Sequence, residues 1–328
     1  MKRLILMCWF AGLSGALPLT AQTFSKSYDV EGRPDIGWAS EATPLGLLVA
    51  TGSICGDGNE CNGIFLLDPI HGDVIWETVI NPPGEGSHST GRFCLLLNPD
   101  STFMLAGNAG DNTSSQWFFL YKMSLSTGDI IWEQQYPADV KGSNAVVQQQ
   151  GGGYILCVST SPPGSTKSFA TLMKVDEEGN FLSSALYGEP MGNRPFSLQK
   201  DAIGGYALLR NGFATKSPVI LERLDGNGTV LWSNTIDTVS HTTYAQGHAL
   251  PLRDGGIAVG YAGYNNDFPP IAETHPPYVA KHDSLGHLVW KWIRYGSVTQ
   301  YRQVFSLLEL PDGDIVGVGW YKESMVSP

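Results

Sequence analysis

Charge is scarce in this chain: Asp, Glu, Lys and Arg make up 16% of its 328 residues, well below the usual quarter. The basic side is the poorer one, with 20 Lys+Arg against 31 Asp+Glu and a net charge of −11. A surface this acidic repels phosphate, so nucleic acid and anionic membranes are excluded as general partners. Five cysteines are too few for a disulfide-dense miniprotein. After the N-terminus no window approaches the ~20 apolar residues of a membrane span, so the mature chain is expected to have none. No segment carries a sustained helical period, which excludes bundles and coiled coils. No His-x-x-x-His or Cys-x-x-Cys spacing is present, and neither a Gly-x-Ser-x-Gly elbow nor a phosphate loop occurs. Neither metal, cofactor nor catalytic residues are therefore assigned, and an enzyme is the less favoured class.

What the chain does have begins at its N-terminus. Lys2 and Arg3 precede an apolar run over residues 4–19, and the small Ala21 precedes Gln22. That is the pattern of a secretory signal peptide over residues 1–21. Export would leave residues 22–328 as the mature chain, secreted to the cell surface, the medium or the periplasm. Loss of Lys2 and Arg3 takes the net charge from −11 to −13. In such an oxidising compartment Cys55 and Cys61, which flank Gly-Asp-Gly-Asn-Glu, are expected to close a local disulfide. Cys94 and Cys157 sit in apolar runs and read as buried thiols.

An internal repeat decides the fold class. Five segments share one pattern, with Trp76, Trp132, Ser183, Trp232 and Trp290 at its anchor position, spaced by 56, 51, 49 and 58 residues. Between the anchors lie Gly/Asp clusters, among them Gly151-Gly-Gly-Tyr, Asp254-Gly-Gly-Ile and Asp312-Gly-Asp-Ile. Each joins two short apolar runs, a hairpin signature. The second unit reads as four strands, at 92–97, 102–106, 117–123 and 130–136. Four short strands repeated every ~50 residues make an all-β propeller of four-stranded blades. Five full blades and a partial sixth are expected, in one domain over 22–328. Phe24 and Tyr28 keep the spacing of Trp132 and Tyr136, so the N-terminal strand is expected to close the sixth blade and shield its edge.

The turn-to-Trp segments, such as Ser124-Leu-Ser-Thr-Gly-Asp-Ile-Ile-Trp132, resemble the repeats of quinoprotein-like (PQQ-type) propellers. The combination of Gly-x-x-x-Trp, a following Tyr and Asp-Gly-Gly-Ile is more similar to secreted bacterial propellers exported by the type IX system. The resemblance covers nearly the whole mature chain and implies the fold. A quinone-dependent enzyme would be one implication, but no vicinal cysteine pair accompanies it. A C-terminal sorting domain would be another, and its absence reads as a truncation. Neither resemblance carries catalytic residues over.

Candidate ligand residues come from two places. Arg33, Arg92, Arg194 and Arg302 recur where the chain enters the first strand of a blade, the strand that lines a propeller's axis. Together they would form an anion site, although their offsets from the following hairpin drift by one residue at a time. The longest insertion, residues 261–277, carries Tyr264, Asn265, Asn266 and Phe268 ahead of two proline pairs, a composition suited to adaptable recognition. The Trp series itself reads as blade-to-blade packing. The function expected is a binding or scaffold module for an extracellular glycan or protein, with a carbohydrate-active or quinone-dependent enzyme as the alternative.

Overall fold

A computed structural model describes residues 36–54, 60–80, 86–89, 95–111, 116–136, 140–161, 169–187, 194–211, 216–240, 246–262, 278–293 and 300–323. All regular structure among them is β. The chain divides into two compact units, Met1–Ala138 and Asp139–Pro328.

The first unit holds two sheets. Sheet 1 is the antiparallel meander β1 (Ile36–Thr43), β2 (Gly46–Ile54), β3 (Glu60–Leu67) and β4 (Val74–Ile80). Sheet 2 contains β5 (Gly86–Ser89), β6 (Leu95–Leu97), β7 (Thr102–Asp111), β8 (Gln116–Ser124) and β9 (Ile130–Tyr136). Its inner position is shared, because β5 and β6 both pair with β7. Of the strand expected over 92–97, Leu95–Leu97 is β6, and residues 92–94 lie outside the described residues. Leu48, Ala50, Ile64 and Leu66 of sheet 1 pack on Phe103, Leu105, Phe119 and Tyr121 of sheet 2. Each such large side chain contributes roughly 1.5–3 kcal/mol on burial.

The second unit repeats the meander three times. Sheet 3 is β10 (Val140–Gln148), β11 (Tyr154–Thr160), β12 (Phe169–Val175) and β13 (Phe181–Tyr187). Sheet 4 is β14 (Arg194–Lys200), β15 (Tyr206–Asn211), β16 (Lys216–Leu224) and β17 (Val230–Ser240). Sheet 5 is β18 (Gln246–Pro251), β19 (Ile257–Ala262), β20 (Tyr278–His282) and β21 (Leu288–Ile293). Sheet 6 has two strands, β22 (Gln300–Glu309) and β23 (Ile315–Glu323). Sheets 4 and 5 share a core of Leu209, Val219 and Leu221 against Ala249, Val259, Tyr261 and Ala280. Sheet 5 meets sheet 6 through Leu252 and Ala258 against Val304 and Leu307.

The expected five full units and one partial unit are therefore the five larger sheets and the β22–β23 pair. Phe24 and Tyr28, the proposed closing strand, lie outside the described residues. In sheets 3, 4 and 5 second strands are the most buried, and all seven positions of β11 are buried. Fourth strands are outer edges and alternate exposed with partly covered positions, as in β4 and β9. Burial on both faces explains the unbroken apolar runs of the former and the weaker alternation of the latter.

Candidate functional site

The turns between third and fourth strands are built alike. In the three tight ones an Asp opens the turn, its carboxylate accepts backbone N–H groups, and a Gly with positive φ closes it. Asp225 Oδ1, for example, accepts from Asn227 N at 2.9 Å and Thr229 N at 2.8 Å, and Gly228 has φ +88°. Donation of N–H groups to the carboxylate favours its charged form. Asp176 is accordingly held below the usual carboxylate range, chiefly by the Asn180 side chain.

In sheets 2, 4 and 5 these turns receive the fourth strand of the preceding sheet. Trp76 of β4 donates its indole N–H to Leu125 O at 2.9 Å, and Thr78 donates to Gly128 O at 3.0 Å. Trp232 of β17 repeats the contact on Ser284 O at 3.0 Å, with Asn234 donating to Gly286 O. Sheet 3 has Ser183 at the anchor, and there Tyr187 donates to Gly228 O instead. Burial, with Glu222 nearby, pushes the Tyr187 phenol up to about 12. The turn glycines are seats for the indoles. A Cβ on Gly128 would stand 2.6 Å from Trp76 Cε3, and one on Gly286 would stand 2.9 Å from Trp232 Cδ2. In these pairs the Trp series does serve sheet-to-sheet packing.

A second repeated contact was missed at the sequence level. The third strand carries a cation two residues before its turn: Lys122, Lys174, Arg223 and Lys281. Lys122 pairs with Asp100 at 3.0 Å, Arg223 with Asp201 at 2.9 Å, and Lys281 with Asp254. The acids belong to the turn between the first two strands of the same sheet. Arg223 also donates to Gly255 O at 2.8 Å and Ser284 O at 3.3 Å of sheet 5, while Lys174 reaches Asn227 O of sheet 4 at 2.9 Å. A Lys/Arg-x-Asp-x-x-Gly spacing at three of the turns, one residue longer at Lys122-x-Ser-x-x-x-Gly, was the available signal. Deeper in sheet 4, Arg210 makes a bidentate pair with Glu222 at 2.9 and 2.8 Å, and Ser233 donates to the same carboxylate at 3.0 Å.

The first strands carry different chemistry. Ser197 Oγ of β14 accepts from Ala249 N of β18 at 3.3 Å. One sheet on, His248 Nδ1 accepts from Leu307 N of β22 at 2.8 Å. The proton of that ring therefore sits on Nε2, and burial lowers its pKa to about 4. On β1, Glu41 keeps an accessible surface, yet the surrounding protein raises its pKa by desolvation. Among the described residues it is the one carboxyl displaced upward, and such groups concentrate at functional sites.

Of the residues expected from sequence, Arg33, Arg92, Tyr264, Asn265, Asn266, Phe268 and Cys55 lie outside the described residues. Arg194 opens β14 opposite Asn211, five residues after Tyr206. Arg302 pairs with Tyr321, six residues after Ile315. The two stand one residue out of step, so the register does not give them equivalent places. Cys61 is buried and disulfide-bonded, and Cys157 carries a buried thiol. No group of three or more His, Cys, Asp or Glu able to hold a metal occurs among the described residues.

No family profile and no curated sequence matches the chain. Solved structures do. The NanB sialidase of Streptococcus pneumoniae superposes with a TM-score of 0.61 at 10% identity, over 92% of this chain and 68% of that one. The fold is a β-propeller. Two proteins of unknown function share it: one from Bacteroides caccae (TM-score 0.50, 14% identity, 84% and 87% covered) and one from Dyadobacter fermentans (0.51, 12%, 90% and 100%). At such identities the likeness concerns the propeller fold alone, and the sheets above are its blades.

Proposed function

We propose that this chain is a secreted propeller that binds an extracellular glycan or protein through the inner strands and the loops at the end of the blades opposite the turns. The distribution of polar groups carries the reading. In each four-stranded meander the first and third turns lie at one end, where cation–aspartate pairs tie the turns of one sheet and Lys174, Arg223 and the indoles of Trp76 and Trp232 reach the next. Glu41 is different: it stands on an inner strand, accessible and held above the usual carboxylate range. An accessible carboxyl on an inner strand can hydrogen-bond sugar hydroxyls.

The likeness to sialidases favours a sugar ligand and supports a second reading, a carbohydrate-active enzyme in which Glu41 is a proton donor. One experiment separates them. The mature chain is screened on a glycan array and on a panel of fluorogenic glycosides, beside Glu41→Gln and a deletion of residues 265–273. A binding module loses array signal in the deletion without ever turning over a glycoside. An enzyme turns over a glycoside and loses that activity in Glu41→Gln. Array binding unchanged in both variants, with no turnover, refutes both readings.

A further inference from the structure

We propose that β13, the outer strand of blade 3, is a docking edge at which two copies of this chain pair antiparallel about a twofold axis through Ser184. The fourth strands are built alike, and the residue after the anchor stands mid-strand on the face opposite the anchor. It is Glu77 in β4, Glu133 in β9 and Lys291 in β21. A charge there guards a sheet edge. In β4 and β9 it is the central residue of seven, so a strand laid antiparallel on its own copy would set glutamate against glutamate, which is destabilising. In β17 the position is Ser233, whose hydroxyl donates to Glu222 at 3.0 Å, and that strand carries Asp237. In β13 the position is Ser184, and Phe181–Tyr187 holds neither charge nor proline.

Apolar surface stands where the guard is missing. Leu182 and Leu186 lie two residues to either side of Ser184, hence on its face, and they are 59% and 56% exposed. Phe181 is 57% exposed. The first six positions of β13 are all exposed, and only Tyr187 is buried. Among the described residues the strand pairs with β12 alone, and both strands stand in one continuous described segment, 169–187.

The sequence of the strand specifies the occupant, because Phe-Leu-Ser-Ser-Ala-Leu-Tyr reads alike in both directions: aromatic, leucine, small residue, serine, small residue, leucine, aromatic. A twofold through Ser184 sets Leu182 against Leu186 twice, Ser183 against Ala185 twice and Ser184 against itself. The four leucines then form one apolar row on a single face, with facing Cβ atoms ~5 Å apart. The register holds whichever residues point their N–H and C=O groups outward: Ser184 exchanges bonds with itself in one case, Ser183 with Ala185 in the other. Charge agrees with this choice. Copies carrying a net charge of −11 repel one another, so a contact between them needs a neutral surface, and β13 supplies it. An isologous contact of this kind closes on itself and leaves no edge for a third copy. Two seven-residue strands bury less than about 1,200 Å² in total, the range of weak and reversible pairs.

The test is sedimentation velocity of the mature chain from about 1 to 300 μM, a range that brackets a micromolar pair. The weight-average sedimentation coefficient should rise with concentration and fit a monomer–dimer equilibrium. Ser184→Glu, which restores the charge that β4 and β9 carry at this place, should weaken the dimer at least tenfold. Leu182→Lys should do the same. Ile131→Lys, at a residue of β9 that is 53% exposed, should dimerise as the parent does. Every substituted position is exposed, so the thermal transitions should coincide and are measured in parallel. A second readout fixes the register: a short bis-maleimide should link Ser184→Cys into a covalent dimer above the level of the parent, and should not link Ile131→Cys. A chain that stays monomeric throughout the range overturns the proposal, including the case in which another strand already fills the edge. So does a dimer that Ser184→Glu leaves intact, or one that Ile131→Lys weakens equally.

Discussion

Acid should loosen this propeller at one histidine before its carboxylates begin to titrate. His248 must be neutral to accept the Leu307 N–H at 2.8 Å. Its folded pKa is about 4, against roughly 6.5 for an unfolded histidine. The folded state then binds fewer protons than the unfolded state between these values. Stability is fully present above about pH 6.5 and falls as pH drops toward 4, at up to ~1.4 kcal/mol per unit and about 3 kcal/mol in all. The lowered carboxyls, including Asp68, Asp100 and Asp254, lose their contribution only below their ordinary pKa near 4. Glu41 acts in the opposite sense, since a raised carboxyl favours the folded state as pH falls. Among the described residues the window from 6.5 to 4.5 thus belongs largely to His248. Urea unfolding followed by tryptophan fluorescence, at half-unit steps from pH 7.5 to 4.5, should show a falling midpoint. His248→Gln, whose amide oxygen can accept the same N–H, should start lower but stay nearly level. Parallel decline of the two proteins would refute the reasoning.

Three further outcomes follow from the latches. Gly128→Ala forces a Cβ into a φ of +74° and to 2.6 Å from the Trp76 ring. It should cost about 2–4 kcal/mol by urea unfolding, whereas Gly313→Ala, with nothing within 4 Å, should cost only the backbone strain, about 1–2 kcal/mol. Trp232→Phe removes a hydrogen bond and should lose about 1 kcal/mol beyond the change in ring size. Among the described residues Trp290 has no indole hydrogen bond, so Trp290→Phe is the comparison that reports ring size without the bond. Glu222→Gln leaves the buried Arg210 guanidinium with a neutral partner and should destabilise by about 3 kcal/mol, while replacement of both by Met should recover most of that. Differential scanning calorimetry of the three proteins decides it.

The blades were legible because their determinants are local. Gly128, Gly228 and Gly286 mark turns that only positive φ can close, and the anchor Trp stands four residues after each. The fourth strand of the second unit was read as 130–136 and is Ile130–Tyr136. Its first strand was read as 92–97, of which Leu95–Leu97 is β6, whereas β5 was not foreseen because Gly-Ser-His-Ser carries no apolar alternation. The cation network escaped because its pairs are distant in sequence: Asp100 and Lys122 lie 22 residues apart, Lys174 and Asn227 lie 53 apart. The special state of Glu41 was equally invisible, because a desolvated carboxyl looks like any other in a sequence holding 31 acids. The drift among the arginines was visible as a miscount, and the pairing of Arg194 and Arg302 has the same one-residue offset.

The indole-on-turn contact has a polarity. In sheets 1, 3 and 4 the outer strand carries a plug that points to a socket in the last turn of the successor. A stretch of 49 to 58 residues cut between equivalent positions would therefore carry one of each, whichever blade it came from. Duplicating or excising such a stretch leaves every junction compatible, so repeat number could change in a single genetic event without redesign of any interface. The contact also tolerates decay. Ser183 lost the plug, and Tyr187, four residues on, reaches the same socket. Copies can thus diverge one at a time while the succession of blades persists.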